Sequence, residues 1–339
     1  MNQLSSPARY LHLAAEKSIN SLVRRVKSEI SMAVLSLKGL MSPPNGEVNF
    51  DQVTKTKTVE KLAILISESC LDEFLHLLRG LAINPGVKDD KGAASRRRVI
   101  GDLLLNAARS KSMVIGGGKS IPPESEEGIR QILSLLVEFA YFARNDQSSS
   151  PCGVDDPPIS PASHDMFKSR ISSCLTDLTS KSSNPSTFAF HVVGVIHSRQ
   201  KVGGSSPMLV VDGGVAAVIG KAWKLLERIH LKEQSSSAQK RPFLIAFKLL
   251  YSLMILQVYN GDADAVNMLD ELKDSYYKLS ENKKPSTQGG AEALVEIILT
   301  LVAKPALLFR RIGPHVFSAC CSNLNEPALE SMTQVCKVF

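Results

Sequence analysis

Residues 244–258 read LIAFKLLYSLMILQV and residues 291–303 read AEALVEIILTLVA, both apolar almost all the way round. In the second, the polar residues Glu292, Glu296 and Thr300, continued by Lys304, recur every four positions. On a helix of 3.6 residues per turn that leaves one narrow polar line, so neighbours must cover the remaining faces. A helix of this kind belongs in the middle of a stack. The rest of the chain reads as further helices laid on either side of it.

The 339 residues are 44 % hydrophobic and 22 % charged, which supplies ample material for a core. The length allows one large unit or two or three ordinary domains. Aromatic residues are few, Leu is abundant and Val/Ile/Thr alternation is scarce, which favours helix over sheet. The longest apolar stretch, Phe243–Tyr259, contains Lys248 and falls short of the ~20 residues of a membrane-spanning helix. Met1 is followed by Asn-Gln-Leu-Ser-Ser and an amphipathic run, without the charged and apolar regions of a signal peptide. The six cysteines, at 70, 152, 174, 320, 321 and 336, are scattered. They are expected to be small buried hydrophobes in a reducing compartment, and none has zinc-ligand spacing. The net charge of +7 and isoelectric point near 9.0 are compatible with nucleic acid or acidic partners.

In chain order, apolar spacing predicts one helix, or a slightly broken one, over Ser6–Leu40 and a loop at Pro43–Gly46. A second run follows Asp51, read as an N-cap, breaks near Ser67–Ser69 and resumes over Leu71–Ile83. Helices are then expected over Ser95–Met113, Pro123–Arg144, His164–Ser180, Ser186–Ser198 and Val211–Lys232, the last with the single tryptophan, Trp223. The C-terminal part reads Arg241–Tyr259, Ala263–Leu279, Ala291–Ala303, a helix opened by Pro305 and bent at Gly313-Pro314, and Pro327–Phe339. Pro305 and Pro327 are assigned to first helical positions. The stretch 145–163 is Ser/Pro-rich and reads as a linker or loop. It divides an N-terminal helical-repeat segment, 1–144, from a C-terminal one, 164–339. With no convincing strand, the expected fold is all-α, an α-solenoid of HEAT/armadillo-like repeats of ~40–47 residues. A globular helical bundle is the alternative.

Few stretches resemble chemistry. Gly116-Gly117-Gly118-Lys119-Ser120 has part of a phosphate-loop pattern, but position 113 is Met where that pattern needs glycine, and no strand precedes it. It reads as a flexible loop. Tyr259-Asn260-Gly261-Asp262-Ala263-Asp264 resembles the YGDTD signature of family B DNA polymerases with one residue inserted. There, paired carboxylates on a β-hairpin hold two metal ions. Here the flanks have helical period, so Tyr259, Asn260, Gly261 and Asp262 read as a structural turn: Asn-Gly ends one helix and Asp262 caps the next. His191 and His197 are six apart, not four, and Ser, His and Asp occur in no recognisable catalytic setting. No catalytic residue, cofactor or metal is expected.

Basic clusters carry more. Arg96, Arg97 and Arg98 lie near Lys88 and Lys91, and Arg109 and Lys111 close the same helix. Arg310 and Arg311 form another pair, and Arg24-Arg25 with Lys27, Lys55/Lys57/Lys61 and Lys283-Lys284 add more. On a solenoid, clusters from successive turns could align into a stripe that tracks a phosphate backbone. The candidates for nucleic-acid contact are Arg96, Arg97, Arg98, Arg109, Lys111, Arg310 and Arg311. Alternatively these are solvated faces offset by 33 acidic residues. No aromatic platform is interleaved with them, so base stacking is not indicated.

The stretch 241–339, with LQVYNGDADA, ALVEIILTLVA, KPALLFRR and NEPAL in order, resembles the DNA polymerase V / DNA polymerase phi (Myb-binding protein 1A-like) family. Gln257, Tyr259, Asn260, Gly261, Asp262, Val295, Glu296, Pro305, Leu307, Leu308, Arg310 and Leu329 fit its motifs. FLHLLRGLAI, followed by a basic helix, resembles it more loosely in the N-terminal half. The resemblance implies that this is the middle section of a longer architecture, with helical repeats before it and an acidic tract and basic tail after it. It further implies a nucleolar protein tied to ribosomal DNA, transcription regulators, rRNA gene transcription and ribosome biogenesis. Membrane association and a small-molecule substrate are not expected. A pure protein scaffold is the alternative. A template-directed polymerase using Asp262 and Asp264, as the family name implies, ranks below both.

Overall fold

The structure is a computed structural model that describes residues 9–113, 121–143, 157–182, 184–202, 206–207, 212–280 and 290–321, with Leu4 and Glu330. Contacts divide the chain into two compact units, Met1–Cys174 with Ser198–Pro207, and Leu175–His197 with Met208–Phe339. The expected division lay at 145–163. The described end of that stretch belongs to the first unit because Arg97 donates to the carbonyls of Pro157 and, at 2.9 Å, of Pro158. Just beyond it, His164 Nδ1 donates to the Phe139 carbonyl at 2.6 Å.

The first unit begins with α1 (Arg9–Ser28) and α2 (Met32–Met41). The run expected as one helix, or a slightly broken one, is broken between Ser28 and Met32. Next come α3 (Phe50–Thr54) and α4 (Thr58–Ile64), with a 3₁₀ turn at Glu68–Cys70 leading into α5 (Leu71–Ile83). Asp51 is a cap, though of the following helix. Its carboxylate accepts from the backbone N–H groups of Thr58 (2.7 Å), Val59 (3.1 Å) and Glu60 (3.0 Å). Those are donors that the first turn of α4 cannot satisfy internally. Asp89 caps α6 (Asp90–Lys111) conventionally, accepting from Gly92 N–H at 2.7 Å. The helix therefore starts five residues before the expected Ser95.

α7 (Pro123–Tyr141) opens on Pro123 with Glu124 and Glu126 in its first turn, where the helix dipole favours carboxylates. It stops at Tyr141, not Arg144, because Phe142–Ala143 (β1) pairs antiparallel with Ser206–Pro207 (β2), Phe142 opposite Pro207. A two-residue strand carries no period-2 signal, so the sequence could not announce it. α8 (Pro161–Lys181) leaves the first unit after Cys174, and α9 (Ser186–Val202) belongs to the second unit up to His197 and to the first from Ser198.

The second unit holds α10 (Gly213–Ser235), α11 (Arg241–Tyr259), α12 (Asp264–Ser280), α13 (Gly290–Ala303) and α14 (Leu307–Cys320). α11 is the central helix that its sequence requires, packed on α10, α12 and α14, with even Lys248 only 2 % exposed. By length and hydropathy alone it equals a membrane span, a test the shorter sequence count did not meet, but 78 % of that window is buried inside the protein. α13 packs on α12 and α14 and buries Leu294, Val295, Ile297, Ile298 and Leu301, while Glu296 and Thr300 of its polar line are exposed, as is Val302 near its end. α14 begins at Leu307 with Ala306 as N-cap, so Pro305 lies outside it, and the helix continues through Pro314. The segment 327–339 lies outside the described residues apart from Glu330.

Within each unit the helices pack mainly on their neighbours in sequence, as α10 on α11 and α12, or α6 on α5 and α7. That is the near-neighbour pattern of an all-α helical-repeat fold of the solenoid class.

Candidate nucleic-acid interface

Adjacent residues on a helix point about 100° apart, so the Arg96-Arg97-Arg98 triplet cannot act as one patch. Arg97 is 1 % exposed and donates to the carbonyls of Ala82 (3.0 Å), Pro157 and Pro158, binding the end of α5 to the 157–158 segment. Arg96 is half-buried, 3.0 Å from Glu47 and bonded to the Pro85 carbonyl. Lys111 turns inward to Glu68 at 2.9 Å. These three candidates are corrected to internal staples. Burial and committed carbonyl or carboxylate partners take them out of reach of a phosphate.

Arg98 and Arg109 are exposed, as is Lys91 at the start of the same helix. Lys91 and Arg109 are separated by 18 residues, five whole turns, and Arg98 lies within about 20° of the line joining them. Past its first residue, the exposed positions of α6 are these three cations, strung over about 27 Å at 1.5 Å per residue. Arg310 and Arg311 are also exposed on α14, with bonds to the Pro305 carbonyl (3.0 Å) and Ser180 Oγ (3.2 Å). Arg24, Arg25, Lys27, Lys55, Lys57 and Lys61 are exposed, Arg25 being paired with Glu29 at 2.7 Å. Lys283-Lys284 and the 116–120 loop lie outside the described residues.

One cationic face escaped the sequence reading. Lys221, Lys224, Arg228 and Lys232 are all exposed on α10, spaced three, four and four, and so fall within about 80° of arc. The signal was present as helical spacing, but a search for cations adjacent in sequence passes over it.

The Tyr259–Asp262 turn forms as expected. Gly261 has φ +89°, the Asp262 N–H donates to the Gln257 carbonyl and the Gly261 N–H to the Val258 carbonyl, each at 3.0 Å, which is the Schellman arrangement. Asp262 Oδ1 accepts from the Asp264 N–H at 3.1 Å, and its other oxygen is bonded to Lys304. Burial works to raise the Asp262 carboxyl. The hydrogen bond and charge of Lys304 and the N–H groups of Ala265 and Asp264 oppose that and hold it below its ordinary value. Asp262 and Asp264 thus lie on a helix–turn–helix, with Asp262 engaged as a cap.

His191 and His197 are both on α9. His197 stacks on Trp223 (4.5 Å between centroids), which stacks on Phe190 (5.6 Å), so His197 packs the α9–α10 contact. Among the described residues no group of three His, Cys, Asp or Glu is placed to hold a metal. Cys174 and Cys320 are buried, burial raising the Cys320 thiol to about 12. Cys70 is half-buried and Cys321 exposed, contrary to the expectation of uniform burial.

An all-α array of helices packed mainly on their sequence neighbours defines a helical-repeat protein. The chain belongs to the DNA polymerase phi family, whose model matches residues 1–338. It is similar over its whole length to the rDNA transcriptional regulator pol5 of Schizosaccharomyces pombe, with 26 % identity, covering 35 % of that protein. It also resembles the rDNA transcriptional regulator POL5 of Saccharomyces cerevisiae, at 22 % over 99 % of this chain and 30 % of that one. A shorter match, 27 % identical over 34 % of this chain and 9 % of the relative, is to the Myb-binding protein 1A of Homo sapiens. The chain spans about a third of the length of the two yeast relatives. No solved structure matches it.

Proposed function

We propose that this chain is a non-enzymatic, HEAT/armadillo-like helical-repeat protein of the nucleolus that holds ribosomal DNA by its phosphate backbone and engages nuclear transcription regulators. In that role it takes part in rRNA gene transcription and ribosome biogenesis. The observation that carries the reading is the exposed line of Lys91, Arg98 and Arg109 on α6, a row about 27 Å long that can reach phosphates several steps apart and is indifferent to base sequence. Support comes from the two yeast relatives, both named rDNA transcriptional regulators, and from vertebrate relatives named for binding Myb. Arg310 and Arg311 add exposed charge in the second unit.

The test is a gel shift with a labelled duplex from a ribosomal RNA gene. Wild-type chain should bind at low salt, and Arg98→Gln/Arg109→Gln should weaken binding by about tenfold, as the loss of two phosphate contacts implies. An unchanged shift would remove α6 from the interface. No shift by the wild-type protein at low salt would favour a scaffold that contacts proteins alone. The polymerase reading is tested by primer extension with Asp262→Asn as control, and no extension above background is expected, because Asp262 is held by Lys304 and caps a helix.

A further inference from the structure

Beneath the α10 face lies a cavity of about 210 Å³, walled by α10, α11 and α12 of the second unit. Lys221, Lys224 and Arg228 reach it from α10, Lys273 and Asp270 from α12, and Tyr251 of α11 lines it too. Tyr251 is fully buried, and its hydroxyl has no hydrogen-bond partner among the described residues. Tyr277 and Asp270, two of the groups whose charges act on that hydroxyl, also line the cavity. Tyr251 thus forms part of the cavity wall, with a donor that no described protein group takes up. Burial, reinforced by Tyr277, Tyr276, Asp270 and Asp274, pushes the phenol far above its ordinary value, so it stays an O–H donor at neutral pH. A buried donor left without an acceptor costs about 1–3 kcal/mol, and an acceptor arriving from outside removes that cost.

The charged residues that line the cavity are mostly positive. Four cations face a single carboxylate, Asp270, which lies 3.9 Å from Lys273 and is largely exposed. Lys221, Lys224 and Arg228 have no carboxylate partner among the described residues, and Arg228 is steadied by its Nε donating to the Lys224 carbonyl at 3.3 Å. The space is smaller than the ~300–1,000 Å³ of pockets for drug-sized ligands, so it admits a charged group and its linkage but not a nucleotide.

We propose that this cavity binds the phosphoryl group of a phosphorylated serine or threonine on a partner polypeptide. The dianion would enter end-on, Tyr251 donating to one oxygen and Lys221, Lys224, Arg228 and Lys273 surrounding the others. A phosphomonoester has one ester link and three terminal oxygens, so its tip reaches the closed end. A nucleic-acid phosphodiester has chain on both sides and one charge, and stays at the rim. Clusters of Arg and Lys are an established means of holding such groups. The proposal does not rest on the DNA reading, which uses α6.

The test is fluorescence anisotropy on the full chain with a labelled phosphoserine peptide, its unphosphorylated counterpart and a labelled 20-base-pair duplex. Inorganic phosphate serves as competitor. The phosphopeptide should bind at least about tenfold tighter than its counterpart and be displaced by phosphate. Lys224→Gln/Arg228→Gln should lose about tenfold or more of that affinity. Tyr251→Phe, which removes one oxygen that makes no bond, should fold normally by circular dichroism yet weaken the phosphopeptide several-fold. Equal binding of the two peptides, or an unchanged affinity in Tyr251→Phe, would overturn the proposal. It would also fall if only the duplex bound and lost affinity in Lys224→Gln/Arg228→Gln, or if phosphate bound while neither peptide did. Duplex binding that responds to Arg98→Gln/Arg109→Gln but not to these variants leaves the two sites separate, as proposed.

Discussion

At Gly261 an added Cβ would meet nothing within 4 Å, so the cost of substitution there is the left-handed backbone alone. Gly261→Ala should lower stability by about 1–2 kcal/mol, and Gly261→Asn by clearly less, since asparagine tolerates that region. Urea denaturation of the pair reads the difference; equal losses would mean that the turn relaxes to another conformation. Histidines give the pH dependence. His164 is 3 % exposed and donates to the Phe139 carbonyl, and burial holds its imidazole below the ordinary 6.5. Burial, aided by Lys248, does the same to His230. In the unfolded chain both take up protons near their ordinary value, while the folded protein resists. Their contribution is complete above about pH 6.5 and is lost as the pH falls below it. The melting temperature should drop between pH 7.5 and 5, and His164→Asn should flatten that slope; an identical profile would exclude His164 as a source. Identity at this scale was legible in the sequence, but partners were not. Three adjacent arginines look alike in the sequence, and only the packing of α5 and the 157–158 segment shows that Arg97 is internal.

At the scale of elements, α11 is where the core is most exacting. Leu253 is fully buried, and Leu253→Ala should cost about 2–5 kcal/mol, as large-to-small changes in close-packed cores do. Chemical denaturation measures it, and a loss under about 1 kcal/mol would mean the helix is not close-packed there. α11 also contains an ion pair: Lys248 is bonded to Glu233 of α10, which accepts from Asn184 at 2.8 Å through its other oxygen. Burial lowers the Lys248 ammonium and Glu233 opposes that. Glu233→Gln leaves a buried cation unpaired and should cost about 3–5 kcal/mol. Adding Lys248→Met should recover most of it, because no charge then remains to solvate. Failure to recover would make shape, and not charge, the reason the pair is needed. Apolar period placed α11 within its observed bounds, with Lys248 inside it. It could not name the glutamate, which lies on a different helix and only packing brings near.

Over the whole molecule, the net charge of +7 is a weak guide until exposure sorts the cations. If duplex DNA is held through phosphates, log affinity should fall linearly with log salt. Arg98→Gln/Arg109→Gln should make that slope shallower by about two. A slope that is flat in the wild type would place the affinity elsewhere than in phosphate contacts. The all-α fold, its near-neighbour packing and the Asn260–Gly261 turn were legible because each is written in local sequence: apolar spacing, proline position, a glycine where the backbone must turn left-handed. The same local information gave the family resemblance. Tertiary structure alone decided that 157–158 is stapled to the first unit and that β1 and β2 pair. It also decided which cations face water. The reason is physical: helical period is set by residues three and four apart, whereas burial and partnership are set by residues from other elements, and no single stretch of chain carries that information.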